Sequence, residues 1–155
     1  MPSTTSSPPA PTAAQADEEL AARLRLSATR LARRLRQEAD AGLTPSQLSA
    51  LAVIEGEGPL TLGALADHEK VAPPSITKVV AKLESIGLVE RTVDAGDRRF
   101  VRVAVTAAGR ALLEGSRQRK TAWLTGRIRE LGPEERERLA AALDVLDALV
   151  SAGRP

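Results

Sequence analysis

The strongest constraint on this chain lies between Leu43 and Val105, where two short helical runs joined by a brief break are followed at once by two β-rich runs around a polar turn. In the first run, Thr61 caps a helix from Leu62 to about Glu69, with Leu62 and Leu65 facing inward. The second opens at Pro73-Pro74, carries Ile76, Val79, Val80, Leu83 and Ile86 at spacings of three and four, and closes at Gly87. An earlier helix is predicted from Pro45 to about Glu55. There Thr44 caps, Pro45 takes the first helical position and Gln47 can reach back to the cap amide. After Gly87, Leu88–Val93 and Phe100–Val105 read as strands, the second alternating Val101, Val103 and Val105 with Arg102 and Ala104. Two helices with a tight connection and a hairpin behind them predict a winged helix-turn-helix lobe over residues 43–106.

Residues 1–16 are expected to form a disordered tail, because MPSTTSSPPAPTAA offers almost no apolar surface to offset the entropy of ordering. A first helix follows from Asp17 to about Ala41, with Leu20, Leu24, Leu31 and Leu35 on one face and arginines around the rest. Thr106 caps a fifth helix running past Trp123 to Ile128, with a break expected near Gly115. A sixth runs from Pro133 to about Ser151. Its stripe of Leu139, Leu143, Leu146 and Leu149 or Val150 needs a partner. A small lobe cannot cover both terminal segments, 17–41 and 107–155, so their apolar faces are expected to form the dimerisation helices of a two-fold homodimer, Leu20 and Leu24 among them. The fold class is thus mainly α with a small β-hairpin wing, a single domain over 17–155 with a terminal-helix dimerisation bundle.

Composition removes several function classes. The 22 basic and 20 acidic residues leave a net charge of +2, so any affinity for nucleic acid must come from where the charge sits. There is no cysteine, which removes disulfides and thiolate metal sites, and His68 is the one histidine, so no metal site is expected. Phe100 and Trp123 are the only aromatics, too few for the stacking platforms that grip single strands. A catalytic role finds no Gly-rich phosphate loop and no nucleophile paired with a base. No apolar run reaches the roughly 20 residues of a membrane span, and no signal peptide is visible, so a cytoplasmic protein without cofactor is expected.

The order of elements, the wing stretch Asp97-Arg98-Arg99 leading through Val105 to Thr106-Ala107-Ala108-Gly109, the run Pro74-Ser75-Ile76-Thr77-Lys78-Val79-Val80-Ala81-Lys82-Leu83, and Gly87-Leu88-Val89-Glu90-Arg91 together resemble the MarR family of bacterial repressors. The likeness spans roughly residues 20–150 and is best from Leu43 to Gly109. Ala72 departs from it, standing where a capping serine or threonine is common. The resemblance implies a repressor that binds a near-palindromic operator, a small-molecule effector that releases it, and an Asp97 carboxylate that orients Arg99.

The residues support duplex binding independently of that likeness. Ser75, Lys78 and Lys82, with Thr77 beside them, fall off the apolar stripe of the fourth helix and form one polar face suited to a major groove. Pro73 and Pro74 open that helix, where free amides favour phosphate. Arg98 and Arg99 at the hairpin tip suit the negative potential of a narrow minor groove. Between residues 70 and 102, seven basic residues, Arg91 among them, face four acidic ones, concentrating charge where contact is expected. Ser46 and Thr61, at helix starts, are further phosphate contacts or simple caps. The competing reading is a winged-helix module that binds another protein and no DNA; Lys78, Arg98 and Arg99 would then be dispensable. Trp123 is a core or interface residue, or lines a ligand cleft.

Overall fold

The computed structural model describes residues 12–39, 41–93, 96 and 101–152. The chain divides into two units, residues 1–37 and 38–155. The first carries all but the last residue of helix α1 (Ala13–Glu38). It begins four residues before the expected start at Asp17, because Thr12 and Gln15 cap it reciprocally. The Thr12 amide donates to Gln15 Oε1 at 2.8 Å and the Gln15 amide to Thr12 Oγ1 at 3.3 Å. Alanines at 13, 14 and 16 then extend the helix at no propensity cost, so residues 13–16 are helical and not tail. At the other end it stops at Glu38, short of Ala41. No residue of α1 is buried, and Leu20, Leu24, Leu26 and Leu31 are all exposed.

The second unit holds α2 (Pro45–Glu57), β1 (Leu60–Thr61), α3 (Leu62–Glu69), α4 (Pro73–Ser85), β2 (Val89–Val93), β3 (Val101–Val105), α5 (Ala107–Arg129) and α6 (Pro133–Ser151). The predicted capping box of α2 is present: the Gln47 amide donates to Thr44 Oγ1 and the Thr44 amide to Gln47 Oε1. The expected hairpin is two-thirds of a three-stranded antiparallel sheet of order β1-β3-β2, in which Leu60 pairs with Val103 and Val89 with Val105. The strand β1 escapes a sequence pattern because two residues show no alternation.

Leu51 and Ile54 of α2, Leu65 of α3, Ile76, Val80 and Leu83 of α4, and Val89, Val103 and Leu113 from the sheet and α5 form one buried cluster. Each large aliphatic side chain so buried stabilises the lobe by roughly 1.5–3 kcal/mol. The cluster holds α4 by one face and leaves the other to solvent.

Helix α5 runs unbroken through Gly115, contrary to the break expected there. Leu113 and Ser116 on either side are buried, and their packing outweighs the roughly 1 kcal/mol of helix propensity a glycine lacks. Arg117 of α5 pairs with Glu55 of α2, and that bond raises its pKa above the ordinary arginine value. Arg119 donates through Nε and Nη2 to the Ala39 carbonyl at 3.2 and 2.7 Å, tying the segment before α2 to α5. Where α5 meets α6, Arg136 donates to the carbonyls of Ile128 and Arg129. Helix α6 has no buried residue: Leu139, Leu143, Leu149 and Val150 are exposed and Leu146 is half-buried.

Among the described residues, the Ser116 hydroxyl is buried without a hydrogen-bond partner. A lone buried hydroxyl costs about 1–3 kcal/mol, and alanine is also the better helix former. Ser116→Ala should therefore raise stability by about 1 kcal/mol, a gain of about 3 °C in melting temperature. A calorimetric scan showing a lower melting temperature would mean that this hydroxyl is satisfied in solution.

Candidate nucleic-acid interface

The turn between α3 and α4 is built by backbone geometry. Thr61 caps α3, its Oγ1 accepting from the Ala64 amide at 3.2 Å. At the far end Lys70 takes a left-handed conformation, φ 53. The Val71 amide then bonds back to the Ala66 carbonyl and the Lys70 amide to that of Asp67, closing α3 in a Schellman turn. Ala72 supplies no side-chain cap to α4, as its identity predicts, and Pro73 and Pro74 preset the first turn instead.

From that start α4 buries Ile76, Val80 and Leu83 and exposes Ser75, Thr77, Lys78 and Lys82. The four predicted polar residues are thus all on the solvent side. Thr77 Oγ1 donates to the Pro73 carbonyl at 2.9 Å, which commits its hydroxyl to the helix and leaves its methyl as the group on offer. Ile86, read from the sequence as the last apolar position of the stripe, lies past the helix end and is exposed. Here Gly87, φ 77, permits the left-handed turn that ends α4: the Leu88 amide bonds to the Leu83 carbonyl and the Gly87 amide to that of Glu84.

Arg91 on β2 is engaged by Glu84 of α4, Nε to Oε2 at 3.0 Å, a pairing that sequence spacing did not suggest. It braces the strand against the helix. Arg102 on β3 donates to the Pro59 carbonyl at 3.3 Å, bracing the opposite edge. Asp97, Arg98 and Arg99 lie outside the described residues. Ser46 is exposed in the first turn of α2, and Thr61 serves as the cap of α3.

Behind the wing is a junction that the sequence named only as a cap. Thr106 Oγ1 accepts from the Gly109 amide at 3.1 Å, capping α5, and donates to the Gly87 carbonyl at 2.7 Å. The Thr106 amide donates to the Leu88 carbonyl at 3.0 Å. A Cβ at Gly109 would stand 2.3 Å from that same Leu88 oxygen and 2.7 Å from Val105 Cγ2. The spacing Thr-x-x-Gly was the available signal, but only the fold shows that its target is the turn after α4.

Residues 43–101 match the model of the MarR family. An HTH-type transcriptional regulator of Mycobacterium bovis is 41% identical over 135 residues, covering 86% of this chain and 94% of that protein. The chain belongs to the MarR family. Its lobe is accordingly that of a MarR winged-helix transcriptional regulator, with α3 and α4 as the helix-turn-helix and β2 and β3 as the wing. A transcriptional regulator structure from Pseudomonas aeruginosa, 35% identical, superposes with a TM-score of 0.78 over 87% of this chain and 96% of that one. A point mutant of Staphylococcus aureus MepR bound to an oligodeoxyribonucleotide shares this MarR fold at 22% identity and a TM-score of 0.68, over 84% and 97% of the two chains. MdtR of Bacillus subtilis, named a transcriptional repressor, is 34% identical over 68 residues, 44% of each chain.

Proposed function

We propose that this MarR-family regulator binds duplex DNA as a homodimer and represses transcription until a small molecule releases it. What carries the reading is the division of α4, anchored through Ile76, Val80 and Leu83 while Ser75, Thr77, Lys78 and Lys82 face outward. A rigidly held helix with the Ser75 hydroxyl, the Thr77 methyl and two ammonium groups on its free side suits the edge of the major groove, with its acceptors and thymine methyls. The apolar residues left open on α1 and, separately, on α6 are to be covered by a second copy, which sets two recognition helices on half-sites about one helical turn apart. Arg98 and Arg99 then reach the flanking minor grooves, with Asp97 orienting Arg99. Ser46 and Thr61 contact phosphates from the helix starts. A ligand that favours one separation of the recognition helices over another shifts the operator affinity accordingly. MdtR's name supports repression as the direction of the effect.

Selection from a random duplex library with the full chain tests this. The expected product is a near-palindrome bound on the order of 10³-fold or more tighter than random duplex, with affinity falling steeply as salt rises. Equal affinity for selected and random duplexes, or a monomer both free and on DNA, would overturn it. A protein that binds no duplex would point to the protein-interaction module.

A further inference from the structure

We infer that Thr106 is a positioning residue for DNA reading, the link that fixes the direction of the recognition helix α4 against α5; the inference rests on the DNA-binding function proposed above. Besides the helical bond that its carbonyl accepts from the Arg110 amide, three hydrogen bonds meet at this one residue. Its hydroxyl donates to Gly87 and accepts from Gly109, and its amide donates to Leu88. Gly87 and Leu88 form the turn in which α4 ends, and Gly109 lies in the first turn of α5. The turn that ends the reading helix and the first turn of α5 are therefore joined through a single hydroxyl, which donates to one and accepts from the other. Because Gly109 has no side chain, α5 approaches the Leu88 carbonyl closely enough for that arrangement to close.

The consequence concerns geometry more than folding. The core cluster holds α4 along its length through aliphatic contacts, which are non-directional and tolerate small rotations. Hydrogen bonds are directional, so the Thr106 contacts define the angle at which α4 leaves the core. An error in that angle grows along α4 from the Gly87 turn, small at Lys82 in the last turn, larger at Lys78 and largest at Ser75 in the first turn, and all three must meet fixed base edges. Contacts to phosphate, which any duplex supplies, are less sensitive to it. The link therefore supports discrimination between sequences more than overall affinity.

Three variants separate this role from helix capping. Thr106→Ser keeps both donor and acceptor. Thr106→Asp keeps an acceptor for the Gly109 amide, and aspartate is a good cap, but when ionised it has no proton to donate to Gly87. Thr106→Val keeps the shape and loses both functions. The full chain and each variant are titrated with a duplex selected by the wild type and with a random duplex of equal length, alongside far-ultraviolet circular dichroism and mass in solution. The ratio of the two affinities cancels the added charge of aspartate. The expected result is a selected-to-random ratio reduced about tenfold in Thr106→Asp and Thr106→Val, equivalent to about 1.4 kcal/mol. Helicity and mass stay at wild-type values, and Thr106→Ser retains the full ratio. A wild-type ratio in Thr106→Asp would reduce Thr106 to a cap of α5, and a Thr106→Ser ratio as low as that of valine would remove the hydroxyl from the account. Parallel weakening on both duplexes would do the same. Should the wild type itself fail to discriminate, the DNA-reading proposal falls before this one.

Discussion

Gly109→Ala is expected to destabilise the protein by about 3 kcal/mol, near the upper end for overpacking, and to lower the melting temperature by about 10 °C. The sign is the informative part. Within a helix, glycine to alanine ordinarily stabilises by up to about 1 kcal/mol. At Gly109 the new methyl would stand 2.3 Å from the Leu88 oxygen, and that oxygen is backbone, already held by the Thr106 amide. It cannot rotate aside as a flexible side chain could. Either α5 moves off the sheet, losing packing at Leu113, or the turn after α4 shifts and the Thr106 bonds stretch. Gly56→Ala in α2 is the matched control. A Cβ there would have no atom within 4 Å, so this substitution should leave stability unchanged or raise it. Thermal unfolding of both variants decides the matter, and a melting temperature for Gly109→Ala within about 1–2 °C of wild type, on the order of 0.5 kcal/mol, would refute the tight approach of α5 to the wing.

Replacing Lys78 and Lys82 together with alanine is expected to weaken binding to the selected duplex about 100-fold, since each base-directed contact is worth about 1–3 kcal/mol. Both side chains are exposed on the free face of α4, one turn apart, so their removal should not disturb the core. Two readings of the lysines separate in the salt dependence. If they sit on phosphates, the slope of log affinity against log salt becomes shallower by about 0.9 for each phosphate no longer neutralised, and random duplex weakens in parallel. If they reach base edges, the selected duplex suffers more. Lys120→Ala on α5 removes one positive charge from outside α4 and should alter neither value by more than about twofold. Unchanged affinity of the Lys78→Ala, Lys82→Ala double variant for the selected duplex would remove α4 from the DNA-binding surface.

Much of the lobe was legible because its signals are local. Thr44 with Gln47, Thr61, Pro73-Pro74, Thr106 and Gly132-Pro133 each start a helix where the chain says one should start, since a cap satisfies amides only a few residues away. The same rule could have placed the start of α1, for Thr12 and Gln15 have the capping-box spacing, but a proline- and serine-rich approach masked it. The polar face of α4 was legible too, because helical periodicity alone sorts Lys78 and Lys82 from Ile76 and Val80.

Contacts that join residues far apart in the chain follow another rule. Glu84 with Arg91, Glu55 with Arg117, Arg119 with the Ala39 carbonyl, and β1 beside β3 are all set by which elements pack together, and no spacing announces them. The unbroken course of α5 belongs here as well, since burial of Leu113 and Ser116 overrode the weakness of Gly115. By itself, then, the sequence determined where helices begin, which of their faces are apolar and which side of α4 carries charge, for these depend on neighbours one or two turns away. Only the tertiary structure decided that Thr106 faces Gly87 and that Gly109 must lack a side chain, because a hydrogen bond or a collision between segments about 20 residues apart exists only once the core has brought them together.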